Sequence, residues 1–350
     1  MKARISNMLL ITGSIVLALL VLEVVVRVLD VPPKPLAPLV VPSYRLSGNP
    51  VIKYEFKPGY RPDEEPYDLQ HKGYAINSVG FRDYEYEVAK PEGTFRIIAL
   101  GDSTTAGNGI PDVDKTFPKQ LEKLLNEDRR SGKRFEVLNF GIPGYQTMHE
   151  VETLRVKGLE YSPDLVLLTF CMNDLDLHGD GKISKRLRRV SLLSDEEENF
   201  GLYDALLRWS RLAFIVHHRL RLSRHLSAED EWYVTDVLKG RSTVEAGLEL
   251  LAELQQEHGF RALVLILPGF KDFFDQYRFG DMHEHVFQAA EGLPGITVID
   301  LLPKFAELTN DGKRFTLDEL HPNEYGHKTM ANILLPVIQA NIGTAQLPAR

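Results

Sequence analysis

The stretch Phe95–Ser103, FRIIALGDS, decides the fold. Its apolar centre, Ile97–Leu100, is short, does not alternate with polar residues, and stops at Gly101. A continuous apolar run bounded by turn residues suits a strand buried on both faces, as in a parallel sheet. Four more runs read the same way: Val137–Phe140, Leu165–Phe170, Leu263–Leu267 and Ile296–Leu301. Helix-period stretches fall at Phe117–Asn126, Met148–Tyr161, Thr243–His258 and Met282–Ala290, with a last one at Asn323–Ala340 opening after Pro322. Alternating strands and helices predict a doubly wound α/β sheet with right-handed crossovers. In such sheets the functional site lies beyond the carboxyl ends of the strands.

Four polar clusters stand there: Gly101-Asp102-Ser103, Gly141-Ile-Pro-Gly144, Cys171-Met-Asn173-Asp174 and Asp318-Glu-Leu-His321. A serine just past a strand presents its hydroxyl beside backbone N–H groups able to hold an oxyanion. It needs a base, for which His321 is the candidate, and the base needs an orienting acceptor, for which Asp318 stands three residues back. Backbone N–H groups of Ser103 and Gly144 and the amide of Asn173 make a candidate oxyanion hole. Singly, each cluster has a plainer reading: a helix cap, a turn, an Asx-turn, a surface pair. Together and in this order they point to nucleophilic acyl chemistry.

The order Ser103, Gly144, Asn173, His321 resembles the SGNH (GDSL-type) hydrolase superfamily. The motifs that carry it are Gly-Asp-Ser at 101–103, Asn139-x-Gly-x-x-Gly144, Asn173-Asp174 and Asp318-x-x-His321. The resemblance spans about residues 95–340. It implies a flavodoxin-like, three-layer α/β/α fold with a parallel sheet, and ester hydrolysis without metal or cofactor. It also implies Ser103 as nucleophile, His321 and Asp318 as the rest of a triad, and Ser103, Gly144 and Asn173 as oxyanion donors. Cys171 departs from the pattern, standing where the family's third motif usually has Gly. Thr104 stands where the first motif often has Leu.

The N-terminus differs in character. Met8–Leu22 carries no charge, and Met8–Leu29 includes only Glu23 and Arg27. At about 1.5 Å per residue that span reaches about 33 Å, enough to cross a bilayer. Glu23 and Arg27 form an i,i+4 pair in the favourable order, and Lys2 and Arg4 precede the run. No Ala-x-Ala-like cleavage site follows it. The expectation is a single-pass anchor with residues 1–30 as cytoplasmic tip and membrane helix, and the catalytic domain on the extracytoplasmic side; a cleaved signal and a buried core helix are the alternative readings. A Pro-rich tether (31–50) and a lead-in (51–94) then precede a hydrolase domain (95–342).

That domain carries an insertion at about 176–242. Its stretch 182–224 holds ten Lys/Arg against five Asp/Glu, whereas the whole chain carries −8. Two readings stay open: helices packed on the domain with a solvated basic face, or a cap touching anionic lipid or polymer. The acidic balance of 41 Lys+Arg against 49 Asp+Glu argues against a nucleic-acid partner. One cysteine excludes an internal disulfide framework and multi-cysteine zinc sites. His217-His218 and His283-Glu-His285 lack completing ligands at metal spacing and read as surface residues. Gly107-Asn-Gly109 lacks the Lys and spacing of a phosphate loop.

The expected activity is therefore carboxylic ester hydrolysis of O-acyl (acetyl) groups at the cell surface, on an acylated glycan or a lipid. The alternatives are acyl transfer to a polysaccharide and a lysophospholipase-type lipase. A non-enzymatic binding module is a fourth reading, which the intact triad disfavours.

Overall fold

Five runs of buried apolar residues form one parallel sheet. The structure, a computed structural model, describes residues 2–28, 43–61, 75–128, 132–175, 210, 212–213, 243–270, 277, 279–308, 312–318 and 320–343. In chain order the elements are helix α1 (Lys2–Val28), strands β1 (Tyr44–Leu46), β2 (Tyr54–Phe56) and β3 (Thr94–Gly101), helices α2 (Ser103–Ala106) and α3 (Phe117–Glu127), and β4 (Arg134–Gly141). They continue with α4 (Thr147–Thr153), β5 (Leu165–Phe170), α5 (Thr243–His258), β6 (Arg261–Ile266), α6 (Gly280–Ala290), β7 (Ile296–Asp300), α7 (Leu302–Leu308) and α8 (Glu324–Gly343). All five expected strands and the five expected helices are present, with ends shifted by a few residues. The stretch expected as one helix over Met148–Tyr161 begins as α4, then widens and tightens through Leu154–Gly158 and Leu159–Tyr161.

The sheet order is β4-β3-β5-β6-β7, every pair parallel. This is the doubly wound order, in which the chain leaves β3 to one side and returns to the other. Side chains alternate across each strand. Ile97, Ala99, Val137, Leu165, Leu167, Leu263 and Leu265 join Phe117, Leu121 and Leu125 of α3, Phe305 of α7 and Met330, Leu334 and Ile338 of α8 in one core cluster. Helix α4 packs against β3, β4 and β5, and α5 against α4 and β6. The expected α/β/α layering is what the chain adopts.

Strand β4 ends the sheet, and an edge strand leaves backbone N–H groups without a ladder partner. Side chains take them up here. Phe135 N donates to Asn126 Oδ1 at 3.0 Å, Val137 N to Glu122 Oε2 at 2.7 Å, Asn139 N to Asp83 Oδ2 at 2.6 Å and Gly141 N to Asn139 Oδ1 at 3.0 Å. Asp83 also pairs with Lys119 at 2.8 Å, both side chains 2% exposed. Burial drives the Asp83 carboxyl above its usual range, against the lowering effects of Lys119 and the Asn139 N–H.

The lead-in contributes an antiparallel hairpin, β1 on β2. Its first strand falls inside the segment read as tether. Tyr44, Tyr54 and Phe56 are buried in it, and Tyr54 meets Tyr145 edge-on at 5.3 Å between ring centres.

The chain divides into two compact units. One holds residues 42–184 and 233–350, with the sheet; the other holds residues 1–41 and 185–232. In the latter, α1 contains an apolar stretch, Leu10–Val28, of mean hydropathy 2.3, long enough to cross a membrane. The expected Glu23–Arg27 pair forms at 2.7 Å. Glu23 also accepts hydrogen bonds from Ser210 Oγ and Leu212 N, each at 2.9 Å. Most of the insertion, its basic stretch and His217-His218 lie outside the described residues.

Asp83→Ala removes one of the two carboxylates paired with the buried Lys119 ammonium, Glu122 being the other, and the acceptor of the Asn139 N–H, so it should cost about 3 kcal/mol. Denaturant unfolding measures this, and Asp83→Ala/Lys119→Met should recover part of the loss.

Candidate active site

The carboxyl ends of β3, β4 and β5 lie side by side, and the polar clusters follow them. Past β3, Asp102 caps α2, its Oδ1 accepting from Thr104 N at 2.9 Å. Ser103 is the first residue of that helix and is buried. Past β4, the 141–145 loop is held at Ile142 and Pro143. Ile142 N donates to Gly101 O at 3.1 Å, and Tyr54 Oη donates to Pro143 O at 2.8 Å. Gly144 has φ 81, a left-handed conformation open to Gly at little cost. Past β5, Asn173 lies in the turn Met172–Leu175; its side chain falls outside the described residues.

The fourth cluster comes from far along the chain. Thr316 and Pro322 pair as a single bridge, and Leu317 N and Thr316 Oγ1 both donate to His321 O at 2.8 Å. This closes a small loop around Asp318. Its Oδ1 accepts from His321 N at 2.8 Å and Leu320 N at 3.2 Å, and its Oδ2 lies 2.7 Å from His321 Nδ1. Burial works to raise the Asp318 carboxyl, but the His321 N–H, the His321 ring and the Leu320 N–H outweigh it and hold the group below its ordinary value. The other ring nitrogen, His321 Nε2, stands 2.9 Å from Ser103 Oγ. With Nδ1–H donated to the Asp318 carboxylate, Nε2 is left to accept the serine proton. The residues expected as nucleophile, base and orienter thus form one hydrogen-bonded chain. Asp318 is open to solvent at 56% side-chain exposure, whereas the histidine ring is at 16%. Geometry rather than burial therefore singles out this carboxylate.

Behind Ser103 lies a buried acidic group that the sequence did not announce. Asp102, Asp174 and Glu150 interact electrostatically, and burial followed by their mutual repulsion pushes the Glu150 and Asp174 carboxyls well above their ordinary values. Asp174 Oδ2 accepts from Thr147 Oγ1 at 3.2 Å and Cys171 N at 3.3 Å. Cys171, the departure from the family pattern, points its Sγ at Asp102 Oδ1, 3.3 Å away. Burial and the Asp102 and Asp174 charges push its thiol well above the usual value, so it stays protonated. It serves as a small buried donor, not as a second nucleophile.

Two further residues on or against the loop that follows Ser103 had been given no role from the sequence. Asn108 Nδ2 lies 3.4 Å from His321 Nε2. Arg82, 1% exposed, donates to Ala106 O and Gly107 O at 2.8 and 3.0 Å and to Pro111 O at 2.9 Å, and also to Ile110 O. His283 sits between Asp300 Oδ2 (2.8 Å) and Tyr277 Oη (2.6 Å) as a buried structural link rather than a surface residue. Among the described residues, no three His, Cys, Asp or Glu side chains group as metal ligands.

The GDSL-like Lipase/Acylhydrolase family model matches residues 99–329, about two thirds of the chain. No curated protein matches. Among solved structures the chain is similar to a two-domain esterase active on acetylated mannans, co-crystallised with mannopentaose, at 15% identity and TM-score 0.42, covering 73% of this chain and 51% of that one. It thus spans about half the length of that relative. It is also similar to an acetyl xylan esterase (18% identity, TM-score 0.42, 70% of this chain and all of that one). A lipase/acylhydrolase from Enterococcus faecalis matches at 16% identity and TM-score 0.42, over 72% of this chain and 100% of that one.

Glu150 keeps its proton in the folded state to a pH at which the unfolded carboxyl, with an ordinary value of about 4.3, has lost it. The folded state is therefore favoured fully at low pH and progressively less as pH rises through the raised value. Glu150→Gln removes that titration. Its stability relative to the parent should grow between pH 4.5 and pH 8, by up to about 1.4 kcal/mol per pH unit, measured by denaturant unfolding at several pH values.

Proposed function

The chain belongs to the GDSL-like lipase/acylhydrolase family, and from that premise we propose that it is a serine carboxylic ester hydrolase working through Ser103, His321 and Asp318. The observation that carries this is the continuous chain Asp318 Oδ2–His321 Nδ1 at 2.7 Å and His321 Nε2–Ser103 Oγ at 2.9 Å. It joins residues more than two hundred positions apart at the carboxyl edge of the sheet.

In the first step His321 Nε2 takes the Ser103 proton while Oγ bonds to the ester carbonyl carbon. The carbonyl oxygen becomes an oxyanion, for which the Ser103 and Gly144 N–H groups and the Asn173 amide are the assigned donors. The C–O bond to the alcohol then breaks, and the His321 proton goes to the departing oxygen. In the second step water attacks the acyl-serine, His321 takes its proton, and Ser103 is regenerated. Asp318 keeps the imidazole in one tautomer and stabilises it when charged.

The substrate assigned is an O-acyl ester, acetyl above all, of a cell-surface glycan or lipid. What supports this is α1. It is long and apolar enough to anchor the chain, Lys2 and Arg4 precede its apolar run, and an anchored enzyme meets immobile substrates. On this reading residues 1–30 are the anchor, and residues 95–342, with the insertion at 176–242, form the catalytic domain on the extracytoplasmic side.

An ester panel from acetyl to long-chain esters and acetylated glycans, run with and without a sugar acceptor, tests the assignment. Ser103→Ala should abolish hydrolysis and labelling by a fluorophosphonate, and Asn173→Ala should lower kcat by about 10²–10³-fold. Full esterase activity in Ser103→Ala would overturn it.

A further inference from the structure

We propose that Asn108 binds the alcohol oxygen of the ester, the atom that leaves in the first step and is replaced by water or an acceptor hydroxyl in the second. This rests on the reading of Ser103 and His321 given above.

The oxygen that receives the His321 proton must come within about 3 Å of Nε2. That atom already faces Ser103 Oγ at 2.9 Å, and on the same side stands Asn108 Nδ2 at 3.4 Å. A separation of 3.4 Å is long for a bond between these two nitrogens, but it places the amide beside the position the alcohol oxygen must occupy. Once Nε2 is protonated it donates to that oxygen, and the Asn108 N–H donates to it from the flank. Charge develops there as the C–O bond breaks, so a fixed donor acts when it is needed most.

Asn108 is held in place. Its backbone N donates to Ser103 O at 2.8 Å, tying it to the nucleophile's own residue. On both sides of it the buried Arg82 guanidinium bonds the carbonyls of Ala106, Gly107, Ile110 and Pro111. Gly109 abuts Leu317, whose side chain would lie 2.5 Å from an added Cβ, so this loop rests on the segment leading to Asp318 and His321. Asn108 itself is half-buried. Such a built-in side chain meets the requirement that a functional group be positioned before substrate arrives.

The alcohol's basicity separates this role from a structural one. With the purified full chain, kcat/KM is measured for an alkyl acetate, whose alkoxide leaves poorly, and for p-nitrophenyl acetate, whose phenolate needs little help. Asn108→Ala should lower the alkyl-to-aryl ratio of kcat/KM about tenfold or more. Loss of loop structure would depress both esters and leave the ratio where it was, and a ratio within about threefold of the parent overturns the proposal. Asn108→Leu, similar in size and without polar atoms, is measured in parallel and serves if the alanine variant does not fold. If the parent enzyme shows no Ser103-dependent hydrolysis of either ester, the reading of the site itself fails, and this proposal with it. A lowered ratio in an active variant supports the role of Asn108, and an unchanged or raised ratio overturns it while leaving the reading of Ser103 and His321 intact.

Discussion

The parallel ladder that holds β3 between β4 and β5 is the constraint on which the site depends. Thr94–Gly101 registers residue for residue with Arg134–Gly141, and Ile97–Leu100 with Leu165–Leu168. Parallel register brings the three chain exits to one edge, and each exit must turn at once into a loop or helix. Ser103, Gly144 and Asn173 are the residues of those turns. Their placement at one edge of the sheet follows from hydrogen-bond register, not from any attraction between them. Only the histidine loop has to be brought in separately, and the Thr316–Pro322 bridge and the cap of Asp318 on His321 N do that.

Sheet and helices were legible in the sequence because burial on both faces forces a pattern that local composition records. Leu165–Phe170 has no polar residue except Thr169, and every one of its positions is buried. The Ser103–His321–Asp318 chain was legible because each member sits at a strand exit or in a short motif. Arg82, Asn108 and Glu150 were not. Each owes its role to partners distant in sequence or to the absence of solvent, and neither leaves a period. Gly107-Asn-Gly109 was weighed only as a phosphate loop, and Glu150 reads as one more polar residue of a helix until its burial is seen. Cys171 was visible as an irregularity, but its meaning needed Asp102 beside it.

The lead-in shows why position along the chain misleads about role. Its adjacent residues Arg82 and Asp83 are buried and reach in different directions. Arg82 fixes the loop that carries Asn108, and Asp83 closes the edge of β4 and neutralises Lys119. A buried guanidinium is costly unless acceptor oxygens surround it, and the carbonyls of Ala106, Gly107, Ile110 and Pro111 are among those it meets. Burying Arg82 therefore favours the loop conformation that converges these carbonyls on it. The same conformation sets Asn108 against His321. A segment outside the sheet thus imposes order on a loop inside the site, and it does so through the strictness of polar satisfaction in a dry interior rather than through any contact with substrate.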